Sequence, residues 1–190
     1  MKIQSAEFIR GIKGTDPILY DRIPQIAFFG RSNVGKSSVI NALVNRTNLV
    51  RVGKKPGKTI SINFFLVNKQ FYFVDLPGYG YMAKLNQEEK EKIRKLILWY
   101  VMYSEVKPHA IVLVLDVNVG FTPFDKEFLE ILKKMNRRYI IIANKIDKLN
   151  QKEMAGKLES IAKESGHEDI LLCSAKTKAG ITILLQTLLQ

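Results

Sequence analysis

The sequence predicts an α/β fold: a doubly wound, mixed but largely parallel sheet flanked by helices. Three observations carry that expectation. Short apolar runs recur at Ile26 to Phe29, Phe71 to Val74, Ile111 to Leu115, Tyr139 to Ala143 and Ile170 to Leu172, each ending at a turn or a polar site. Runs of this kind read as strands buried on both faces. Helical patterns with recognisable starts lie between most of them. The third observation is an irregularity, because only Asn68, Lys69 and Gln70 separate Ile62 to Val67 from Phe71 to Val74. That spacer suits a hairpin and is too short for a parallel crossover, so one strand must run antiparallel.

Taken in order, the elements begin with Ala6 to Ile9 as an extra strand, followed by a loop punctuated by Gly14, Pro17 and Pro24. Residues 1–24 form an N-terminal extension to a single expected domain spanning 1–190. The strand Ile26 to Phe29 leads through a glycine-rich turn into a helix carrying Ile40, Leu43 and Val44. Asn86 with Glu89 three residues later is a capping box, ahead of Ile93, Leu96, Ile97, Tyr100 and Val101 at helical spacing. Thr122 and Pro123 open a further helix in the same way. Asn150 with Glu153 opens the next, before Met154, Leu158 and Ile161, and Ile181, Leu184, Leu185 and Leu188 make the apolar stripe of the last. The chain ends just after that helix, so no appended RNA-binding domain is expected.

Composition sets the broad class. With 190 residues, 46% hydrophobic and 25% charged, the chain can bury one sizeable core. Thirty Lys and Arg against eighteen Asp and Glu give a net charge of +12, which favours polyanionic partners, RNA first among them. A basic surface that merely keeps the protein soluble is the alternative. Clustering of Arg51, Lys54, Lys55 and Lys58 near the proposed site favours RNA. Cys173 is the single cysteine, so no intramolecular disulfide can form and no Cys-rich metal site is available. The first residues lack an apolar core of signal-peptide length, and runs such as Ile111 to Leu115 are too short to span a bilayer. A monomer in the cytoplasm with no membrane contact is expected.

Chemistry is concentrated at the strand ends. Gly30, Arg31, Ser32, Asn33, Val34, Gly35, Lys36 and Ser37, followed by Ser38, fit the phosphate-binding pattern between a strand and a helix, the context that pattern requires. Its glycines let backbone N–H groups converge on phosphate oxygens at a helix N-terminus. Lys36 can neutralise β- and γ-phosphates, and Ser37 offers Mg²⁺ a hydroxyl. Asp75, Leu76, Pro77 and Gly78 end the strand Phe71 to Val74, where a carboxylate can hold Mg²⁺ through water and the Gly78 N–H can reach the γ-phosphate. Alone, that tetrapeptide is a common turn; its position after the phosphate loop gives it meaning.

Asn144, Lys145, Ile146 and Asp147 follow another buried strand. The Asp147 carboxylate can accept from guanine N1–H and its exocyclic amine, a donor pair adenine does not present, so GTP is favoured over ATP. Ser174, Ala175 and Lys176, preceded by Cys173, end the last strand and are expected to close over the base edge through backbone N–H groups. Cys173 is expected to pack rather than react. Between phosphate loop and Asp75, Thr59 in the loop carrying Gly57 and Lys58 is placed to complete the Mg²⁺ shell when a γ-phosphate is present, giving an order/disorder switch.

These elements, in this order from Gly30 to Lys176, resemble the P-loop GTPase superfamily, with hydrolysis of GTP to GDP as the reaction. Gly30 to Ser38, Asp75-Leu76-Pro77-Gly78-Tyr79-Gly80-Tyr81 and Lys55-Pro56-Gly57-Lys58-Thr59 resemble the EngB (YihA/YsxC) family of ribosome-assembly GTPases, among the TrmE-Era-EngA-EngB-septin-like proteins. The resemblance implies a role in maturing the large ribosomal subunit, through a precursor particle or its rRNA, and a link to division and septation. One position departs from the best-known small GTPases. Tyr79 stands where those enzymes place a glutamine that orients the attacking water, and a phenol cannot do that amide's work; packing against a mobile loop or a partner is the expected role. Slow intrinsic hydrolysis follows, or a GTP-gated binding module that hydrolyses little. Asn33 has two readings of equal weight: a K⁺ ligand near the β- and γ-phosphates, as in related GTPases, or a loop hydrogen bond.

Overall fold

The computed structural model describes residues 2–50, 61–79, 86–104, 106–167 and 169–190. Its strands are β1 (Ala6–Ile12), β2 (Gln25–Phe29), β3 (Ile62–Val67), β4 (Phe71–Asp75), β5 (Ala110–Asp116), β6 (Tyr139–Asn144) and β7 (Ile170–Leu172). The helices are α1 (Lys36–Leu43), α2 (Gln87–Leu98), α3 (Pro123–Lys134), α4 (Gln151–Ser165) and α5 (Ile181–Leu188). A π-helical turn, Trp99–Tyr103, prolongs α2. Among the described residues no helix is long and apolar enough to cross a membrane.

The strands form one sheet in the order β1-β3-β4-β2-β5-β6-β7. All pairings from β4 across to β7 are parallel, and β3 is antiparallel to both of its neighbours. The expected single reversed strand is therefore β3. Its hairpin turns through Asn68 and Lys69, both left-handed at φ 51° and 56°, the conformation a tight turn between twisted strands needs.

Strand β1 runs longer than the apolar pattern indicated, to Ile12 rather than Ile9. Only its two ends are buried, and a register shift between Phe8 and Arg10 interrupts the pairing with β3. An edge strand exposed along its middle has little hydrophobic periodicity to read. Its start is held by Asn68, whose Oδ1 accepts from the Gln4 and Ser5 N–H groups at 2.7 and 3.1 Å.

Alternation along the central strands sends side chains to two cores. Ala27, Phe29, Ile111 and Leu113 pack against Ile93 and Ile97 of α2, Phe128 and Leu132 of α3 and Ile161 of α4. Ile26, Phe28, Val112 and Val114 pack against Val39, Ile40 and Leu43 of α1 and Leu184 and Leu188 of α5. Burial on both faces is what made these runs apolar throughout. Helices α2, α3 and α4 each begin with a capping box, at Asn86, Thr122 and Asn150. Each satisfies orphan N–H groups and fixes where the chain leaves its preceding loop. The parallel strands all end on one edge of the sheet, where an α/β fold gathers its ligands.

Candidate nucleotide-binding site

The phosphate loop occupies the step from β2 to α1. Gly35 precedes Lys36 at φ 96°, a conformation costly for any residue with a Cβ, and a Cβ there would run into Asn144 Nδ2. Asn33 is also left-handed, at φ 67°, with its side chain exposed. The half-buried Arg31 lines a groove beside the loop with Asn33, Asp116, Gly120 and Thr122. Ser38 is half-buried on the first turn of α1.

Lys36 pairs with Asp75 Oδ1 at the end of β4, and the two side chains are only 8% and 9% exposed. Ser37 Oγ lies 3.5 Å from Asp75 Oδ2. The phosphate-loop cation, a hydroxyl and a carboxylate thus converge where β2 and β4 end. Leu76 turns away into the core, and its N–H donates to Phe28 O at 3.1 Å, so it supports the turn from beneath. The half-buried Pro77 leads to Gly78. Ser32 Oγ donates to the Gly78 carbonyl at 3.0 Å, and a Cβ on Gly78 would lie 2.9 Å from Ser32 Oγ. A side chain there would displace the Ser32 hydroxyl from this bond.

The loop after β6 is bound to the phosphate loop by side chains. Asn144 Nδ2 donates to Val34 O at 2.8 Å, while Asn144 Oδ1 accepts from the Ala175 N–H at 3.1 Å. Lys145, left-handed at φ 71°, donates from Nζ to Asn33 O at 2.5 Å and to Asp116 Oδ2 at 2.6 Å. Burial alone would raise the Asp116 carboxyl, but hydrogen bonds from Lys145 and the Asn118 N–H, with the Lys145 charge, hold it below its ordinary value. Ser174 Oγ donates to Asp147 Oδ1 at 2.6 Å and accepts from the Thr177 N–H at 3.1 Å. Asp147 is itself exposed, so one oxygen is fixed by Ser174 and the carboxylate still faces outward.

Several expectations are refined by this geometry. The Ala175 N–H is engaged by Asn144 rather than aimed at a ligand, leaving the exposed Lys176 as the outward-facing end of that segment. Cys173 is fully buried, its N–H donating to Ala143 O at 2.9 Å, and burial pushes its thiol up to about 12. It is a packing residue, as expected. Among the described residues Tyr79 packs inward, on Phe29 and against α3. Three partners escaped the sequence: Asp116, the Ser174 hydroxyl and Asp125. Asp116 ends a buried strand as Asp75 does, a signal that could have marked it, whereas the hydroxyl of Ser174 lies 27 positions from Asp147 with nothing local to connect them. Gly57, Lys58 and Thr59, with Arg51, Lys54 and Lys55, lie outside the described residues.

Comparison with known proteins agrees with this arrangement. Residues 25–145 match a family described as 50S ribosome-binding GTPase, and residues 101–190 match the elongation factor Tu GTP-binding domain. The probable GTP-binding protein EngB of Thermoanaerobacter pseudethanolicus is 38% identical over 189 residues, covering 97% of this chain and 96% of that protein. Its counterpart in Clostridium kluyveri is 44% identical over 186 residues, covering 95% and 92%. A crystal structure of a probable GTP-binding protein EngB superposes with a TM-score of 0.73 at 28% identity, covering 87% of this chain and 96% of that one. Era in complex with MgGDPNP and a segment of 16S ribosomal RNA has the same fold, with a TM-score of 0.66 at 24% identity, covering 88% and 56%.

Proposed function

The chain belongs to the EngB family of P-loop GTPases, and we propose that it hydrolyses GTP slowly, as a switch in assembly of the large ribosomal subunit needed for normal division and septation. The observation that carries the nucleotide reading is the exposed Asp147 carboxylate, held by Ser174 and tied to the phosphate loop through Asn144 and Lys145. It would accept from guanine N1–H and the exocyclic amine, with Lys176 closing the base edge. Phosphates would lie against the N–H groups from Arg31 to Ser38, with Lys36 on the β- and γ-oxygens.

GTPases of this kind generally use Mg²⁺, and the oxygen donors of Ser37 and Asp75 suit a hard divalent cation. These two residues, with Thr59, would hold it, and the ion would neutralise charge on the phosphates. Water attacks the γ-phosphorus in line and the bond to GDP breaks, while Lys36, the phosphate-loop N–H groups and the Gly78 N–H stabilise the charge on the transferring group. The Tyr79 hydroxyl is occupied by Asp125, which leaves that position without a water-orienting amide. This supports slow turnover, and it also favours the second reading, a GTP-gated ribosome-binding module with little hydrolysis. Single-turnover hydrolysis with and without ribosomal particles separates the two.

The Asn33 side chain, exposed on a left-handed phosphate-loop residue, is the proposed K⁺ ligand. Turnover is expected to be faster in K⁺ than in matched Na⁺ buffer, and Asn33→Ala to lose the difference. Identical rates in all four cases would remove the role of K⁺.

A net charge of +12 supports a large-subunit precursor or its rRNA as partner, contacted through Lys54, Lys55 and Lys58 beside Thr59. Neutralising phosphates releases counterions, so co-sedimentation with large subunits should weaken steeply with salt and be stronger with a non-hydrolysable GTP analogue than with GDP. Lys54→Ala with Lys55→Ala should reduce the salt slope by roughly one unit per lost contact. Binding indifferent to both nucleotide and salt would refute this coupling. Lys133, Lys134, Arg137 and Arg138 make a second basic group; Arg137 donates to Val101 O at 3.3 Å and Arg138 to Thr187 O at 2.8 Å, while Lys133 and Lys134 stay exposed.

A further inference from the structure

Tyr79 follows Gly78 directly, and its side chain is 46 residues from the group that holds it. The ring stacks on Phe29 at 5.1 Å and 19°, and meets Phe124 edge-on at 4.8 Å and 89°. Its hydroxyl donates to Asp125 Oδ1. Asp125 is 1% exposed, and its Oδ2 accepts from the Thr122 N–H at 2.8 Å and the Thr122 hydroxyl at 2.6 Å. One carboxylate therefore closes the capping box of α3 and anchors Tyr79. On the other side of the same peptide, the Gly78 carbonyl accepts from Ser32 of the phosphate loop.

We propose that Tyr79 is a positioning residue for the γ-phosphate contact: anchored on Asp125, it holds the Gly78–Tyr79 peptide in place against Ser32, and so sets where the Gly78 N–H stands. The proposal rests on the reading of Gly78 as the γ-phosphate donor. A glycine has no side chain with which to fix its own N–H, and a donor contributes most when its position is set before the charge arrives. Ser32 and Tyr79 supply that restraint one peptide further along: they fix the Gly78–Tyr79 peptide, and with it the Cα that carries the Gly78 N–H. Burial, then the Asp125 charge and the hydrogen bond to it, push the phenol well above its ordinary range, so it remains a donor throughout the working pH range. The aromatic packing keeps the ring in place, and the hydrogen bond fixes its rotation about the backbone.

The test is a ratio. GDP contains no γ-phosphate, so losing the anchor should weaken a non-hydrolysable GTP analogue and spare GDP. Dissociation constants for both nucleotides would be measured for the native protein, Tyr79→Phe and Thr122→Ala. Tyr79→Phe keeps the ring and is expected to lose about fivefold or more in analogue affinity, with GDP changing by no more than about twofold. Thr122→Ala removes a hydroxyl that donates to Asp125 and lies 3.4 Å from the Tyr79 hydroxyl, so it is expected to lower the melting temperature and to shift the ratio in the same direction as Tyr79→Phe, by less. Should Tyr79→Phe fail to fold, Asp125→Asn presents a weaker partner to the phenol and should shift the ratio in the same direction. A native-like ratio in the variant, or equal losses of both nucleotides, would overturn the proposal. A native protein that binds neither nucleotide would overturn the reading of the site as well.

Discussion

Asp147→Asn is expected to lower GTP affinity by roughly 10² to 10⁴-fold and to raise affinity for xanthosine triphosphate. The carboxylate would accept two hydrogen bonds from the guanine edge, each worth about 1.5–3 kcal/mol because the acceptor is charged. Asparagine is nearly isosteric, and its amide oxygen can still accept from Ser174, which donates to Asp147 Oδ1 at 2.6 Å. The loop geometry should therefore survive. What changes is the outward group, from an acceptor to a donor that meets the guanine N–H groups head-on. Xanthine replaces the exocyclic amine with a carbonyl, so the new donor gains a partner there. Competition titrations with the three nucleotides, GTP, ATP and xanthosine triphosphate, read the effect; an undiminished GTP affinity in the variant would remove Asp147 from base recognition.

Lys36→Ala should have the second large effect, and it should appear in both chemistry and stability. Removing a preorganised donor from a transferring group costs roughly 10² to 10³-fold in turnover. The same change strips the partner from Asp75, which is 7% exposed, and breaking a buried ion pair from one side costs about 3–5 kcal/mol. Combining Lys36→Met with Asp75→Leu separates the two effects. An apolar pair of similar volume should recover much of the stability without restoring turnover. Denaturant unfolding and single-turnover hydrolysis on the single and double variants test this, and retained hydrolysis in Lys36→Ala would contradict the assignment of Lys36.

Much of this architecture could be read along the chain because its causes are local. The spacer Asn68 to Gln70 was short enough to require a hairpin, and the capping boxes at Asn86, Thr122 and Asn150 fall at the starts of α2, α3 and α4. The chemistry-bearing segments end β2, β4 and β6, so strand recognition located them as well. Pairings between distant residues were not legible. Lys145 with Asp116, Ser174 with Asp147 and Tyr79 with Asp125 join residues 29, 27 and 46 positions apart. A hydrogen bond across a loop cluster imposes no periodicity on either segment. Edge exposure hid the second half of β1 for a related reason, since Arg10 and Gly11 interrupt the apolar pattern where burial makes no demand. Arg137 and Arg138 illustrate the converse: their charge is conspicuous in the sequence, while their use in binding carbonyls is visible only in the fold.

The central claim is that the Asp147 carboxylate, braced by Ser174 and tied through Asn144 and Lys145 to the phosphate loop, makes this a guanine-specific site. Calorimetric titration of the unmutated protein with GTP and with ATP under matched Mg²⁺ tests it most directly. GTP is expected to bind and ATP, at the same concentrations, to give no measurable heat of binding. Equal affinities for the two nucleotides would contradict the claim.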